Sequence, residues 1–367
     1  MKQKLLFILT ALLTSLTAWA DVEINKENFP DEIFRSYLLS QDFGEDGVLT
    51  DDEIAKTKTL SIQSYNIQSL KGIECFTALE KLTCIDLGLT SLDVSGLTAL
   101  WWLDCSCNLL TSLDVSKNTA LRELWCSENQ LTSFDVSKNT SLVFLACAYN
   151  QLTSLDVSKN TALRELYCSF NPLTSLDVSQ NTALRDLTCI SNQLTSLDVS
   201  KNTELMSLDC YYNQLTSLDL SKNTALQRLY CNGNQLTSID LSNNTALVAL
   251  DCFDNKIKDD AMDALVANLP TAVGAYIHAI DFEDEENVMT TTQVAAANAK
   301  GWKVYYRVTK DEWSWEEYAG SEPTGIDALT TDMQDGKYYD LQGHGIDGKP
   351  TEPGIYIVDG KKIVIGN

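Results

Sequence analysis

Two side-chain types recur along this chain at an interval that invites a chemical reading. Aspartates stand at Asp93, Asp114, Asp135, Asp156, Asp177, Asp198, Asp219 and Asp240, and cysteines at Cys84, Cys105, Cys126, Cys147, Cys168, Cys189, Cys210, Cys231 and Cys252, both every 21 residues. Carboxylates serve general acid–base catalysis when two of them sit in different environments. Thiolates serve as nucleophiles, redox groups or metal ligands. Neither role fits a ladder. The aspartates repeat in one identical context, which suits local capping of turns. Side chains in register on neighbouring parallel strands lie about 4.8 Å apart, whereas a disulfide needs Cβ atoms at about 3.8 Å. The nine cysteines are therefore expected to be small buried hydrophobes. Cys75 and Cys107 stand outside the ladder. The two histidines, His278 and His344, have no triad or metal-ligand spacing around them, and no phosphate loop, dinucleotide fingerprint or nucleophile elbow occurs. The expectation is a binding protein rather than an enzyme, without a cofactor.

One stretch has the side chains of a cation site. DFGEDGVLTDDE, Asp42 to Glu53, resembles an EF-hand loop, with Asp42 at the first ligand position, Asp46 at the fifth, a glycine at the sixth and Glu53 at the twelfth. The resemblance implies Ca²⁺ held by Asp42, Asp46, the Val48 carbonyl and Glu53. Gly44 stands where a third side-chain ligand belongs, so a metal-free capping loop is the alternative.

The varied positions carry a different chemistry. Between Leu79 and Asn255 there are twelve aromatic residues, and all but Phe134, which replaces a core leucine, fall in the variable slots. They are Trp101, Trp102, Trp125, Phe144, Tyr149, Tyr167, Phe170, Tyr211, Tyr212, Tyr230 and Phe253. Trp102, Trp125, Phe144, Tyr167, Tyr211, Tyr230 and Phe253 are expected to alternate with inward Leu and Cys and so to face solvent. Clustered exposed aromatics mark recognition surfaces. Asp104 and other polar neighbours (Glu123, Arg164, Asp186, Asp209, Arg228 and Asp251) would set specificity.

The elements that hold these side chains follow from the period. The unit L-x-x-L-x-C-x-x-N-x-L starts at Leu79, Leu100, Leu121, Leu142, Leu163, Leu184, Leu205 and Leu226, with an incomplete copy at Leu247 and an irregular one near Leu60. Period-two alternation in x-L-x-C-x predicts a short strand, and one such coil cannot bury its own apolar side without neighbours. An asparagine ladder, Asn108 to Asn255, is predicted to satisfy turn backbone groups, with Leu87 in that slot of the Leu79 copy. Leu113 and Val115 and their equivalents are assigned to the core. The Ser/Asn/Thr run is assigned to tight turns.

This pattern resembles the leucine-rich-repeat consensus with cysteine in the third leucine slot, and its length resembles bacterial, internalin-type repeats. The resemblance implies an α/β leucine-rich-repeat solenoid. It would have a concave parallel β-sheet, short turns or 3-10 segments on the convex side, a helical N-terminal cap, an αβ C-terminal cap and a small β tail module.

Residues 1–20 form a signal peptide: Lys2 and Lys4, an apolar run from Leu5 to Leu16, then Ala18-Trp19-Ala20. Residues 21–59 form the cap, with Ile33, Phe34, Tyr37 and Leu38 on one helix side, and 60–257 form the array. Residues 258–310 hold a helix ending before Pro270, a strand Ala275–Ile280, a helix from a Thr290/Gln293 capping box and a strand from Trp302. Residues 311–336 are assigned to a linker.

Residues 337–367 contain three β-patterned runs. Their Tyr339, Asp340, Leu341, Gly343, Gly354, Tyr356, Val358 and Lys361 resemble a type IX (Por) secretion C-terminal sorting domain. The formal charge is −24, which disfavours nucleic acid and anionic lipid. No other stretch is long and apolar enough for membrane insertion. The sequence thus points to a secreted or cell-surface protein that binds an extracellular protein, of host or microbe, through its concave face. A glycan ligand or a purely structural surface role are the alternatives.

Overall fold

The computed structural model describes residues 21–63, 66–281, 286–308, 314–321, 338–339, 345–346, 350, 354–358 and 361–365. The signal-peptide segment, and Asp340, Leu341 and Gly343 of the tail motif, lie outside them. The protein is a solenoid of repeats with a parallel β-sheet, short turns on its back and helical extensions at both ends. It divides into two compact units, Met1–Leu131 and Thr132–Asn367.

In the first unit, strands β1 (Val22–Glu23) and β2 (Val48–Leu49) pair antiparallel beside helices α1 (Glu32–Leu39) and α2 (Asp51–Lys56). Asp31 caps α1 by accepting from the N–H groups of Ile33 and Phe34. Its other oxygen accepts from the Gln68 N–H at 2.9 Å, tying the cap to the first coil. Helix α1 buries Phe34 and Leu38, while Tyr37 is half-buried and Ile33 stays 37% exposed. The apolar side is thus narrower than the sequence suggests. Phe29 fills the space over Gly72, where a Cβ would lie 2.3 Å from its ring. Four parallel strands follow in register: β3 (Thr59–Ser61), β4 (Lys81–Thr83), β5 (Trp102–Asp104) and β6 (Glu123–Trp125). A single 3-10 turn, Ile73–Cys75, backs the first coil.

The second unit continues the pattern with β7 (Phe144–Ala146), β8 (Glu165–Tyr167), β9 (Asp186–Thr188), β10 (Ser207–Asp209), β11 (Arg228–Tyr230) and β12 (Ala249–Asp251), all parallel. Helix α3 (Asp260–Asn268), β13 (Ala275–Ile280), α4 (Thr291–Ala299) and β14 (Trp302–Arg307) follow, and β13 and β14 extend the sheet in parallel. The Thr290/Gln293 capping box forms as expected. Part of the assigned linker is structured: β15 (Trp315–Glu317) pairs antiparallel with β14. The tail forms a four-stranded antiparallel sheet from β16 (Tyr338–Tyr339), β17 (Gly345–Ile346), β18 (Gly354–Val358) and β19 (Lys361–Ile365), one strand more than its sequence runs suggest.

Each coil buries the same set. Leu163, Leu166, Cys168, Leu173 and Val178 are all fully buried, and Leu176 is 7% exposed. The strand ends one residue before the ladder cysteine, whose side chain nonetheless points inward. All eleven cysteines are free thiols, and the nine of the ladder are buried. Phe134 is the exception among core slots, being only half-buried.

The asparagine ladder acts between coils. Asn171 donates through Nδ2 to the carbonyls of Cys147 and Cys168 at 3.1 Å and of Ser169 at 3.2 Å, and its Oδ1 accepts from the Leu152 N–H at 2.9 Å. Asn108 does the same toward the coil lacking an asparagine, accepting from both Leu87 and Leu89. A second asparagine column, hidden in the turn signal S-K-N-T, runs along the back. Asn181, fully buried, donates to Val157 and Asn160 carbonyls at 3.0 and 2.9 Å. The ladder even continues past the period: Asn287, 32 residues after Asn255 in the sequence, donates to Cys252 and Ala279 and accepts from Ile257.

Replacing Asn171 by alanine strands buried groups of two coils. We expect a loss of about 2–4 kcal/mol, against no more than about 0.5 kcal/mol for exposed Thr174→Ala. Urea denaturation of the two variants checks this.

Candidate functional site

Strand register arranges the outward side chains of each unit in two rows. In the first unit one row is Lys81, Trp102 and Glu123, and the other is Thr83, Asp104 and Trp125. The leucines between them, Leu82, Leu103 and Leu124, are fully buried. Trp102 packs on Trp125 with ring centroids 6.1 Å apart and edge-on to Trp101 at 6.3 Å. Lys81 Nζ sits 4.3 Å from the Trp101 ring and 5.3 Å from Trp102, an arrangement favoured by the ring quadrupole. Lys81 is a contributor the sequence reading missed, although it occupies the same repeat slot as Trp102. Asp104 is half-buried, which raises its carboxyl above the ordinary value, and it accepts from the Ser106 N–H.

In the second unit the rows run Phe144, Glu165, Asp186, Ser207, Arg228, Ala249, Tyr276 and Ala146, Tyr167, Thr188, Asp209, Tyr230, Asp251, His278. Phe144 and Tyr167 pack with centroids 5.3 Å apart. The Tyr230 and Tyr276 hydroxyls lie 3.1 Å from each other. His278, assigned to a structural role, stacks on Trp315 at 3.7 Å and places Nδ1 2.7 Å from Asp251 Oδ1. Trp315 belongs to the assigned linker, where the alternation W-S-W-E-E-Y was the available signal.

Not every predicted aromatic faces solvent on the sheet. Phe253 is fully buried, because Trp315 packs on it at 5.3 Å and Arg307 at 5.6 Å. The C-terminal cap covers that slot, so Phe253 leaves the candidate surface. Tyr211 lies past the strand and packs edge-on against Tyr212. Tyr149, Phe170 and Tyr212 sit in the turn just before the ladder asparagine, each with φ of 53°. They are 52%, 39% and 39% exposed. Left-handed backbone disfavours bulky side chains, and other repeats place Glu128, Ser191, Gly233 and Asp254 there. Tyr149 and Phe170 stack at 4.2 Å. The Tyr212 ring covers Gly233, where a Cβ would meet it at 2.2 Å.

Electrostatically the second unit's face is unusual. Burial, then the neighbouring Asp186, push Asp209 up to about 6, and burial also raises Asp186. Arg228 opposes both shifts, and among the described residues it forms no ion pair with either. The aspartates of the back turns behave oppositely. Asp114 accepts from the Ser116 N–H at 2.9 Å, and that hydrogen bond holds its carboxyl below the ordinary value. These repeated carboxylates close turns rather than pairing as an acid and a base.

In the EF-hand-like loop, Glu53 directs Oε2 to the Thr50 N–H and hydroxyl in a capping box, and Asp46 accepts from the Val48 N–H. Asp42 lines an open hollow beside Phe43 and Glu53. Among the described residues no three His, Cys, Asp or Glu side chains gather as a metal site, and no helix is long and apolar enough to cross a membrane.

No protein-family profile and no curated protein matches the chain. Among solved structures, the functional domain of InlJ from Listeria monocytogenes, described as including a cysteine ladder, is 34% identical. The match has a TM-score of 0.67 and covers 80% of this chain and 62% of that one. The chain therefore spans less than two thirds of that relative. An internalin, inlF, also from Listeria monocytogenes, is 21% identical with a TM-score of 0.60, covering 81% of this chain and 95% of that one, and shares the fold.

The raised carboxyl of Asp209 gives a stability test. An unfolded aspartate titrates near 3.9, so the native state binds the extra proton between about 4 and 6, and ionised Asp209 destabilises the fold above that window. Asp209→Asn is expected to raise stability by about 1–2 kcal/mol at pH near 7.5. The gain should vanish near pH 4, as thermal melts at both values would show.

Proposed function

We propose that this internalin-related leucine-rich-repeat solenoid is a secreted or cell-surface binding protein that recognises a protein partner through the aromatic-rich sheet faces of its repeats. The observation that carries this reading is the contrast between slots. The inward and back-turn positions are nearly invariant from coil to coil, while the outward strand positions hold half-buried Trp102, Trp125, Phe144, Tyr167 and Tyr230. A soluble sheet face needs none of these. Tyr and Trp supply large contact area at low entropy cost. In this reading residues 1–20 are an export leader and the β tail is a sorting module of the type IX route.

A protein partner is favoured over a glycan by the use of the rings. Stacking on a sugar needs an open aromatic face. Lys81 already lies over Trp101 and Trp102, and Phe144 packs against Tyr167. Mixed, tilted aromatic and charged surfaces suit side chains of another protein.

The test is a screen of the chain from Asp21 onward against arrayed extracellular proteins and glycans. Protein hits should weaken by about thirtyfold or more, the loss of roughly 2 kcal/mol expected of contact hot spots, in a Trp102→Ala/Trp125→Ala/Tyr167→Ala variant that keeps its circular dichroism and cooperative melt. Undiminished protein binding by that variant would place recognition elsewhere. Hits confined to glycans would replace the protein partner.

A further inference from the structure

We propose that the solvent face of strands β8 to β11 is a docking surface for arginine or lysine side chains presented by the protein partner. The inference rests on the binding reading above and gives that partner a chemistry.

On these four strands the outward positions are Glu165, Tyr167, Asp186, Thr188, Ser207, Asp209, Arg228 and Tyr230. Three are carboxylates and two are tyrosines, and Arg228 is the one cation. Its Nε donates to Ser207 Oγ at 3.4 Å and to neither aspartate. Among the described residues no ion pair engages Glu165, Asp186 or Asp209. Their local partners are hydroxyls: Tyr167 on Glu165 at 3.1 Å, Thr188 on Asp186 at 3.4 Å and Ser207 on Asp209 at 3.4 Å.

The rest of the chain shows what such sites hold when filled. Lys81 lies over Trp101 and Trp102 in the first unit. In the second, Arg307 lies over Phe253 and pairs with Asp281, its Nε 2.7 Å from Oδ1. In both places the chain supplies its own cation to aromatic rings. Along β8 to β11 it supplies acids and rings but, among the described residues, gives Asp186 and Asp209 no ion pair; both are partly buried, and burial pushes both carboxyls up against the opposing charge of Arg228.

A burial penalty on ionised groups is relieved by an opposite charge brought to them. Asp186 and Asp209 stand diagonally on adjacent strands, Asp186 beside Ser207 and Asp209 beside Thr188, about 7–8 Å apart and within reach of one long side chain. A guanidinium can fork between two carboxylates or an ammonium can settle between them. Tyr167 and Tyr230 flank the pair and would cover the aliphatic stem and meet the charge with their ring faces.

The experiment uses the chain from Asp21 and roughly ten-residue peptides of one Tyr/Leu/Ser framework carrying paired arginines, lysines, glutamines or glutamates, titrated at about 150 mM salt. Arginine and lysine peptides are expected to bind at least about tenfold tighter than the others. Asp186→Asn/Asp209→Asn should remove that preference. Glu27→Gln/Glu32→Gln in the N-terminal cap makes the same change in net charge and should leave affinities within about twofold.

Three results overturn the proposal: no preference for cationic peptides, including no binding at all; preference retained in Asp186→Asn/Asp209→Asn; or equal loss in the cap variant, which would reduce the effect to net charge. The array separates this from the broader reading. Protein hits lost in the aromatic variant but kept in the aspartate variant sink the cationic partner alone, and hits kept in both sink both.

Discussion

A coil of 21 residues cannot satisfy its own turn. The backbone leaves each three-residue strand through a left-handed residue and then exposes carbonyls and N–H groups inside a sheet-lined core, where no water reaches them. An asparagine side chain solves this because it donates twice and accepts once in the space of one amide. Asn192 takes the carbonyls of Cys168 and Cys189 and the N–H of Leu173. Two of those three groups belong to the preceding coil. Every coil therefore depends on the next for its polar satisfaction as well as for its apolar cover, and on the opposite wall the back column of Asn160, Asn181, Asn202, Asn223 and Asn244 donates through Nδ2 to two carbonyls of the preceding coil. Nearest-neighbour coupling of this kind is what makes a solenoid cooperative.

That constraint explains the cysteines and the slots left free. A side chain directly beside the ladder amide has to be small and largely apolar, and a thiol, only a weak donor, meets both conditions. Burial raises these thiols far from ionisation, Cys168 to about 12. They are inert packing groups, and chemistry is excluded from the inside of the coil. The outside of the strand carries no such demand. The two outward positions of each strand and the turn that follows are therefore free to vary from coil to coil.

Legibility in the sequence follows the same division. Strands, ladder, caps and the αβ units could be read because each repeats or carries a local signal such as the Thr290/Gln293 box. What escaped depends on contacts between elements distant in sequence. Phe253 has the same spacing as Tyr211, yet β15 folds Trp315 over it. Asn287 holds a ladder position that no period announces. Ile33 has the helical spacing of a core residue but lies outside the width of the cap's contact. The back asparagines were visible as letters, and their burial was not, because S-K-N-T is also what an exposed turn looks like. The left-handed slot before the ladder was open to inference from Gly233, the one copy that places glycine there.

The outward face shows where stability was not the criterion. Thr188, Ser207 and Ala249 prove that strands of this array tolerate small neutral residues at outward positions. Asp186 and Asp209 occupy outward positions too, partly buried, where burial and then Asp186 make Asp209 harder to ionise, and burial and then Glu165 do the same to Asp186. Three turns likewise place Tyr or Phe in a left-handed conformation where Gly233 and Asp254 show that cheaper residues fit. In a repeat whose other positions are uniform from copy to copy, such local penalties are not imposed by the fold. They concentrate on the outward strand positions and the turn after them, where the scaffold leaves the residue type free and the folded chain alone gives no reason for them.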